Sequence, residues 1–400
     1  MSRLGGSAVV LGAALVVGAL LVGSRPFAVV GIGFLLAAAL GHAWTWAVRP
    51  PLGVSYRVDP SPATEGDDVT LRVAVKRDRG SRASALEIQQ SVGHLGIRIA
   101  RLRRRDEEAR IPLGSLNRGV LDVGDASVLV GDPLGLYSRS ISLAATATVV
   151  VHPRSARLET LFTAGGRMGE GGKRRHARRV GGTDLHAVRE FQVGESLRSV
   201  HWPTTARRGN LMVRELEDAP RNGVAVLLDC DPAGGVGEAP DSAFDAAARA
   251  AASLLRAYVA RGARCLLVTT GCRPLVVTLA GSARDFASAL DALARAAPDA
   301  PHVLARALAD PRSPLGGADE LVAVTSVPSH ETVDGLLASA ARRPVSVVWV
   351  DAPSFAGRPT RADPGVLRLS AAGIRVAVVR HGDDLRAALE APDAVRSAHG

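Results

Sequence analysis

At 400 residues with 47% hydrophobic content, the chain exceeds one ordinary core and is expected to form two or three folded units. Its formal net charge of +10 suits an anionic partner, either phospholipid or nucleic acid, or the basic flanks of a membrane protein. The three cysteines, Cys230, Cys265 and Cys272, are odd in number and lack CxxC spacing, which excludes a disulfide framework and a cysteine zinc site.

Residues 1–50 read as a transmembrane hairpin. Gly5 to Gly23 carries no charge, "SRP" interrupts at Ser24 to Pro26, and Phe27 to Val48 is again uncharged. Each stretch approaches the roughly 20 residues that span hydrocarbon. A cleaved signal peptide competes for the first stretch, but "LVGSRP" is a poor small-residue cleavage site and a second apolar span follows at once. Trp44 and Trp46, before Arg49, Pro50 and Pro51, fit an interfacial aromatic belt and a stop, with His42 as a polar residue near that interface. Arg3, Arg49, Arg57 and the terminal amine flank the spans, against Arg25 alone in the turn. The positive-inside bias therefore puts the body of the protein in the cytoplasm, anchored to the inner or plasma membrane.

From residue 51 to 153 the apolar period is two, clearest in "DVTLRVAVKRD", where Val69, Leu71, Val73 and Val75 alternate with Thr70, Arg72, Ala74 and Lys76. "ALEIQQSV", "IRIARLRRR", "GVLDVGDASVLV" and "ISLAATATVVV" repeat the theme between turn signals such as "GDPLG", which predicts a small antiparallel sandwich. Residues 154–182 contain "TAGGRMGEGGKRRHARRVGG", nearly devoid of large apolar side chains and expected to be a basic linker. Its arginines suit lipid headgroups. Nucleic acid is disfavoured because no stacking aromatics interleave with "KRRHARR".

Residues 183–220 crowd charge around "GESLRSVHWPTTARRGNLMVRELED". "ESLRSVHW" has the look of a short helix, Pro203 opens "PTTARRG", Gly209 ends it in a left-handed conformation, and "NLMVRELE" resumes a strand. The charges read either as an internal scaffold of arginine–carboxylate forks or as a docking surface anchored by arginine and Trp202.

Residues 221–400 alternate strand and helix patterns: "GVAVLLD", "DSAFDAAARAAASLLRAYVARG", "ARCLLVTT", "ARDFASALDALARAA", "ELVAVTS", "ETVDGLLASAARR", "PVSVVWVDA", "GIRVAVVRHG" and "DDLRAALE". Continuous apolar strands with intervening helices predict a doubly wound α/β sheet, whose sites form at the carboxyl ends of the strands. There Asp229 and Asp231 are candidates for holding Mg²⁺ or Ca²⁺ through oxygen, with turn-forming aspartates as the alternative. No Walker loop, HExxH, GxSxG or strand-following GxGxxG is present, and Ser199 near His201 lacks an orienting acid, so an enzyme is disfavoured.

The last segment resembles a von Willebrand factor A-type domain in its strand order and acidic first loop. That family holds metal with an Asp-x-Ser-x-Ser loop, of which Asp229 matches the aspartate, while Asp231 and Ala233 stand where the serines would be. Thr325 and Ser326 replace the later threonine, aspartate and glycine, so the resemblance implies the fold with a degenerate metal site. The signature segment is similar to that of the bacterial membrane-anchored family called domain of unknown function fifty-eight. Arg189, Glu190, Glu195, Arg198, His201, Trp202, Arg207, Arg208, Arg214 and Glu215 stand at matching spacing, with Ser196 and Pro203 as departures. "GDPLGLYSRS" and "VVVHPRSARL" extend that likeness upstream. By analogy with the family, the chain is expected to act without catalysis as a membrane-bound adaptor for a MoxR-type AAA ATPase, beside a transglutaminase-like membrane protein. A metal-dependent binding module or hydrolase using Asp229 and Asp231 is the alternative.

Overall fold

The computed structural model describes residues 3–48, 53–76, 85–103, 106, 108–163, 184–190, 202–217, 222–327, 329–359 and 363–390. The chain divides into two compact units, Met1–Pro153 and Arg154–Gly400.

In the first unit, α1 (Arg3–Val22) and α2 (Arg25–Ala47) form an antiparallel hairpin. Both are long and apolar enough to cross a membrane. Gly23, at φ 70°, makes the reversal, and Pro26 lies in the first turn of α2, where a missing N–H leaves no hydrogen bond unmade. The helices approach closely at two glycines: a Cβ on Gly31 would stand 2.8 Å from the Gly12 carbonyl oxygen, so only hydrogen fits there. Their outward faces carry exposed Val10, Leu20, Leu21, Val29 and Leu40, as lipid contact would require.

Two sheets follow. β1 (Gly53–Asp59), β3 (Asp68–Lys76) and β6 (Glu108–Ser115) form one, in the order β1-β3-β6. The other runs β2 (Ala63–Thr64), β9 (Ala147–His152), β7 (Gly119–Gly131), β4 (Ala85–Val92) and β5 (Gly96–Arg103), with β8 (Ser138–Leu143) also paired to β7. The alternation in β3 is realised as burial of Val69, Leu71, Val73 and Val75, which share one core with Leu86, Ile88, Val128 and Val130 of the second sheet. "ISLAATATVVV" divides into β8 and β9. Buried Gln90 is satisfied, accepting from the Tyr56 hydroxyl at 2.9 Å and donating to the Gly124 carbonyl.

The second unit contains β10 (Asp184–Glu190), α3 (Trp202–Arg208) and β11 (Met212–Glu217), then an alternating series. That series is β12 (Asn222–Leu228), α4 (Ala243–Ala260), β13 (Cys265–Thr269), β14 (Val276–Leu279), α5 (Ala283–Arg295), α6 (Val303–Ala309), β15 (Ala318–Thr325), α7 (His330–Ala340), β16 (Val345–Val350), α8 (Ala352–Phe355), α9 (Pro364–Ala371), β17 (Arg375–Val379) and α10 (Leu385–Glu390). The sheet order is β14-β13-β12-β15-β16-β17, with every pairing parallel except that of the edge strand β14. Side chains of α4, α5 and α10 cover one face, and those of α6, α7 and α9 the other. All six residues of β16 are buried in consequence. Small residues let α4 lie against the sheet, with Ala247, Ala250, Ala251 and Ala252 almost fully buried. Ser242 caps that helix by accepting from the Asp245 amide at 3.1 Å, and Gly262, at φ 70°, follows its end.

Residues 154–163, grouped with the basic linker on sequence, pack in the core of this unit through Leu158, Leu161 and Phe162. The Ala156 amide donates to Ser253 Oγ at 2.9 Å and Arg375 to the Phe162 carbonyl at 3.1 Å. The physical reason is hydrophobic: these three apolar side chains precede the glycine–arginine run, which falls outside the described residues. Phe162→Ala is expected to lower stability toward chemical unfolding by about 3–5 kcal/mol, the usual cost of emptying a buried aromatic site. An unchanged unfolding midpoint would show that this segment lies outside the core.

Candidate functional site

The carboxyl ends of β12, β13 and β15 converge. Asp229 follows β12, and its amide donates to the Val324 carbonyl of β15 at 2.9 Å. Its carboxylate accepts from Thr325 Oγ at 2.7 Å, and Thr270 Oγ, just past β13, lies 3.4 Å from the other oxygen. Asp231 turns the chain away: one oxygen accepts from the Ala233 amide at 2.9 Å, and the other from the His302 amide at 2.8 Å. His302 holds φ 56°, a left-handed conformation that non-glycine residues seldom adopt, and its ring Nδ1 lies 3.7 Å from Asp231. Gly234 brings the β12 and β15 loops together, since a Cβ there would stand 2.0 Å from Ser326 Oγ.

Burial sets the electrostatics. It pushes the Asp229 carboxyl up to about 6, against the Thr325 hydrogen bond, which favours the charged form, and with the nearby Asp231 charge, which disfavours it. The same burial raises the Cys230 and Cys265 thiols to about 12, so neither is a thiolate at neutral pH. Asp231 is buried as deeply as Asp229, yet both of its oxygens are engaged in turn geometry. Among the described residues, no three His, Cys, Asp or Glu side chains form a metal-holding group.

Sequence reasoning found Asp229, Asp231 and Thr325 and missed Thr270, His302 and Asp351. Thr270 ends the apolar run "LLVTT", a signal shared with many strand ends, whereas His302 meets Asp231 only through the return of a distant loop. Asp351 follows β16 and is buried, with one carboxylate oxygen 3.9 Å from Arg380 Nε and neither atom hydrogen-bonded.

The signature segment forms a second cluster. β10 and β11 pair antiparallel, setting Val188 opposite Arg214, Arg189 opposite Val213 and Glu190 opposite Met212, so the first and last parts of the motif become neighbours in one two-stranded ribbon. Ala187 stands opposite Glu215 after a register shift. Between the strands, α3 carries Trp202, Arg207 and Arg208 on exposed positions, with Trp202 64% accessible. Thr205 ties the helix down by accepting from the Met212 amide at 3.0 Å, and Gly209, at φ 74°, closes it as the sequence predicts. Glu195, Arg198 and His201, with the expected helix before them, lie outside the described residues.

Residues 187–350 match a family model described as "Protein of unknown function DUF58". No curated protein matches the chain. Among solved structures, it is similar to the conserved hypothetical protein BatB from Bacteroides thetaiotaomicron, at 14% identity and a TM-score of 0.31 over 42% of this chain and 95% of that one. It is also similar to an aerotolerance-related membrane protein from Bacteroides fragilis NCTC 9343 bearing multiple mutations to serines, at 14% identity and a TM-score of 0.29 over 43% and 96%.

The raised Asp229 carboxyl makes folding proton-linked. Its folded value of about 6 exceeds the ordinary 3.8, so the stabilisation is fully present below about pH 4 and is lost as pH rises toward 6. Asp229→Asn is expected to be more stable than the parent chain at pH 7.5, by about 2–3 kcal/mol, and similar to it at pH 4. Parallel unfolding curves at the two pH values check this; a parent chain more stable at the higher pH would contradict it.

Proposed function

We propose that this protein is a noncatalytic membrane-tethered adaptor whose α/β domain, von Willebrand factor A-like in strand order, and whose signature ribbon engage a cytoplasmic MoxR-type AAA ATPase during envelope or complex assembly. The observation that carries this reading is the exposed trio Trp202, Arg207 and Arg208 on a short helix fastened between paired strands. A large aromatic beside two guanidinium groups is the composition of an interface anchor, and it stands exposed where a structural tryptophan would be covered. The basic flanks of the hairpin support a cytoplasmic body and two membrane passes, with a transglutaminase-like membrane protein as a further partner by family analogy.

A second reading uses Asp229 and Asp231 as a Mg²⁺- or Ca²⁺-dependent binding module or hydrolase. Its support is the convergence of both carboxylates with Thr325 at the strand ends, where α/β sheets bind ligands. The donor set fits such a cation poorly. Hard divalent ions take six or more oxygens, whereas Ala233 contributes no side-chain oxygen and Asp231 is spent on two backbone amides.

Replacing both Arg207 and Arg208 with alanine is expected to abolish recovery of the ATPase on in-cell photo-cross-linking from a probe at Ser199, while moving stability by no more than about 0.5 kcal/mol, as for other exposed sites. Undiminished recovery from folded variant protein would sink the adaptor reading. Calorimetric titration with Mg²⁺, Ca²⁺ and Mn²⁺ is expected to give only heat of dilution; a saturable signal lost in Asp229→Asn would favour the second reading.

A further inference from the structure

The turn between β7 and β8, Asp132 to Tyr137, is bedded on the membrane hairpin. Gly5 of α1 and Gly41 of α2 make room for it: a Cβ on Gly5 would stand 2.5 Å from the Leu136 carbonyl oxygen, and one on Gly41 3.0 Å from the Asp132 carboxylate. The Tyr137 ring meets the His42 ring edge-on, with centroids 5.4 Å apart. Gly41 lies six residues before Ala47, the last residue of α2. At 1.5 Å per residue the turn therefore reaches about 9 Å down the helix, to the depth of the polar boundary of a bilayer.

Backbone at that depth must satisfy its own polar groups. This turn does so. Pro133 has no N–H, Asp132 accepts from the Leu134 amide at 3.0 Å and the Tyr137 amide at 2.6 Å, and its carbonyl accepts from Gly135 at 3.1 Å. With these amides closed inward, Leu134 stands 64% exposed at the tip. On β8, two residues past the turn, the Arg139 guanidinium lies 4.6 Å from the centroid of the exposed Trp46 ring. No carboxylate among the described residues pairs with it. A cation held on an aromatic face at the helix end keeps its N–H donors turned to whatever surrounds the helix, which at this level is headgroup phosphate.

We propose that this turn, with Arg139 and Trp46, is a lipid-binding foot: Leu134 enters the acyl boundary and Arg139 binds the phosphate of an anionic phospholipid, which fixes the strand domain on the membrane surface. The inference rests on α1 and α2 crossing the bilayer, and the experiment separates the two claims.

The test uses the full chain with Cys272→Ser, in nanodiscs of zwitterionic lipid with and without an anionic phospholipid. Nitroxide labels are placed at Leu134→Cys, at Leu20→Cys on the outward face of α1, and at Ile97→Cys. Ile97 is an exposed residue on β5, roughly 20 Å along the sheet from the turn by strand rise. Collision with oxygen is expected to exceed collision with a water-soluble nickel chelate at Leu134 and Leu20, and to fall below it at Ile97. Leu134 behaving like Ile97 while Leu20 stays in lipid would overturn the foot alone; Leu20 in water would overturn the spans and the foot together. Native mass spectrometry of Arg139→Gln is expected to show retention of the anionic lipid reduced about fivefold relative to the parent chain, the effect of one basic residue at a membrane surface. Equal retention would remove the phosphate-binding role of Arg139.

Discussion

Helix cover on both faces of the six-stranded sheet is the constraint from which the rest of the second unit follows. Strands with no solvent-facing side are mostly apolar, as Val345 to Val350 are apart from Ser346, so most of the polar chemistry is displaced to the strand ends. There the parallel arrangement points successive carboxyl termini the same way, and Asp229, Thr270 and Thr325 meet although they come from three separated stretches of chain. The acidic cluster is thus a product of topology. Its raised carboxyl follows from the same burial that makes the sheet stable.

That cluster is closed on itself. The carboxylates of Asp229 and Asp231 accept from threonine hydroxyls and backbone amides, which join the loops after β12, β13 and β15 and the segment bearing His302. Exposed side chains are found instead on α3, between β10 and β11, where Trp202, Arg207 and Arg208 stand accessible.

The first unit obeys a related rule. An apolar hairpin leaves no unpaired backbone inside its helices, and in the turn that touches it Asp132 accepts from two amides while Pro133 has none to offer. Glycine serves in both places for one reason, close approach: Gly12 and Gly31 between the helices, Gly5 and Gly41 under the turn.

Composition and period determined the uncharged hairpin, the alternating strands typified by Val69 to Val75, and the continuous apolar strands with their helices, because local burial patterns repeat with the geometry of each element. Pro203 and Gly209 likewise announced the limits of α3 through backbone preference alone. The sequence also named Asp229 and Asp231, but a list of acids carries no information about their donors. Only the tertiary structure decided that Thr270 and Thr325 flank Asp229, that the His302 amide reaches Asp231, that Phe162 belongs to a core, and that the turn from Asp132 to Tyr137 sits on Gly5 and Gly41. Each of these is a contact between residues remote along the chain, set by strand order and chain reversal, and hydrophobic periodicity has no means of encoding which strand lies beside which.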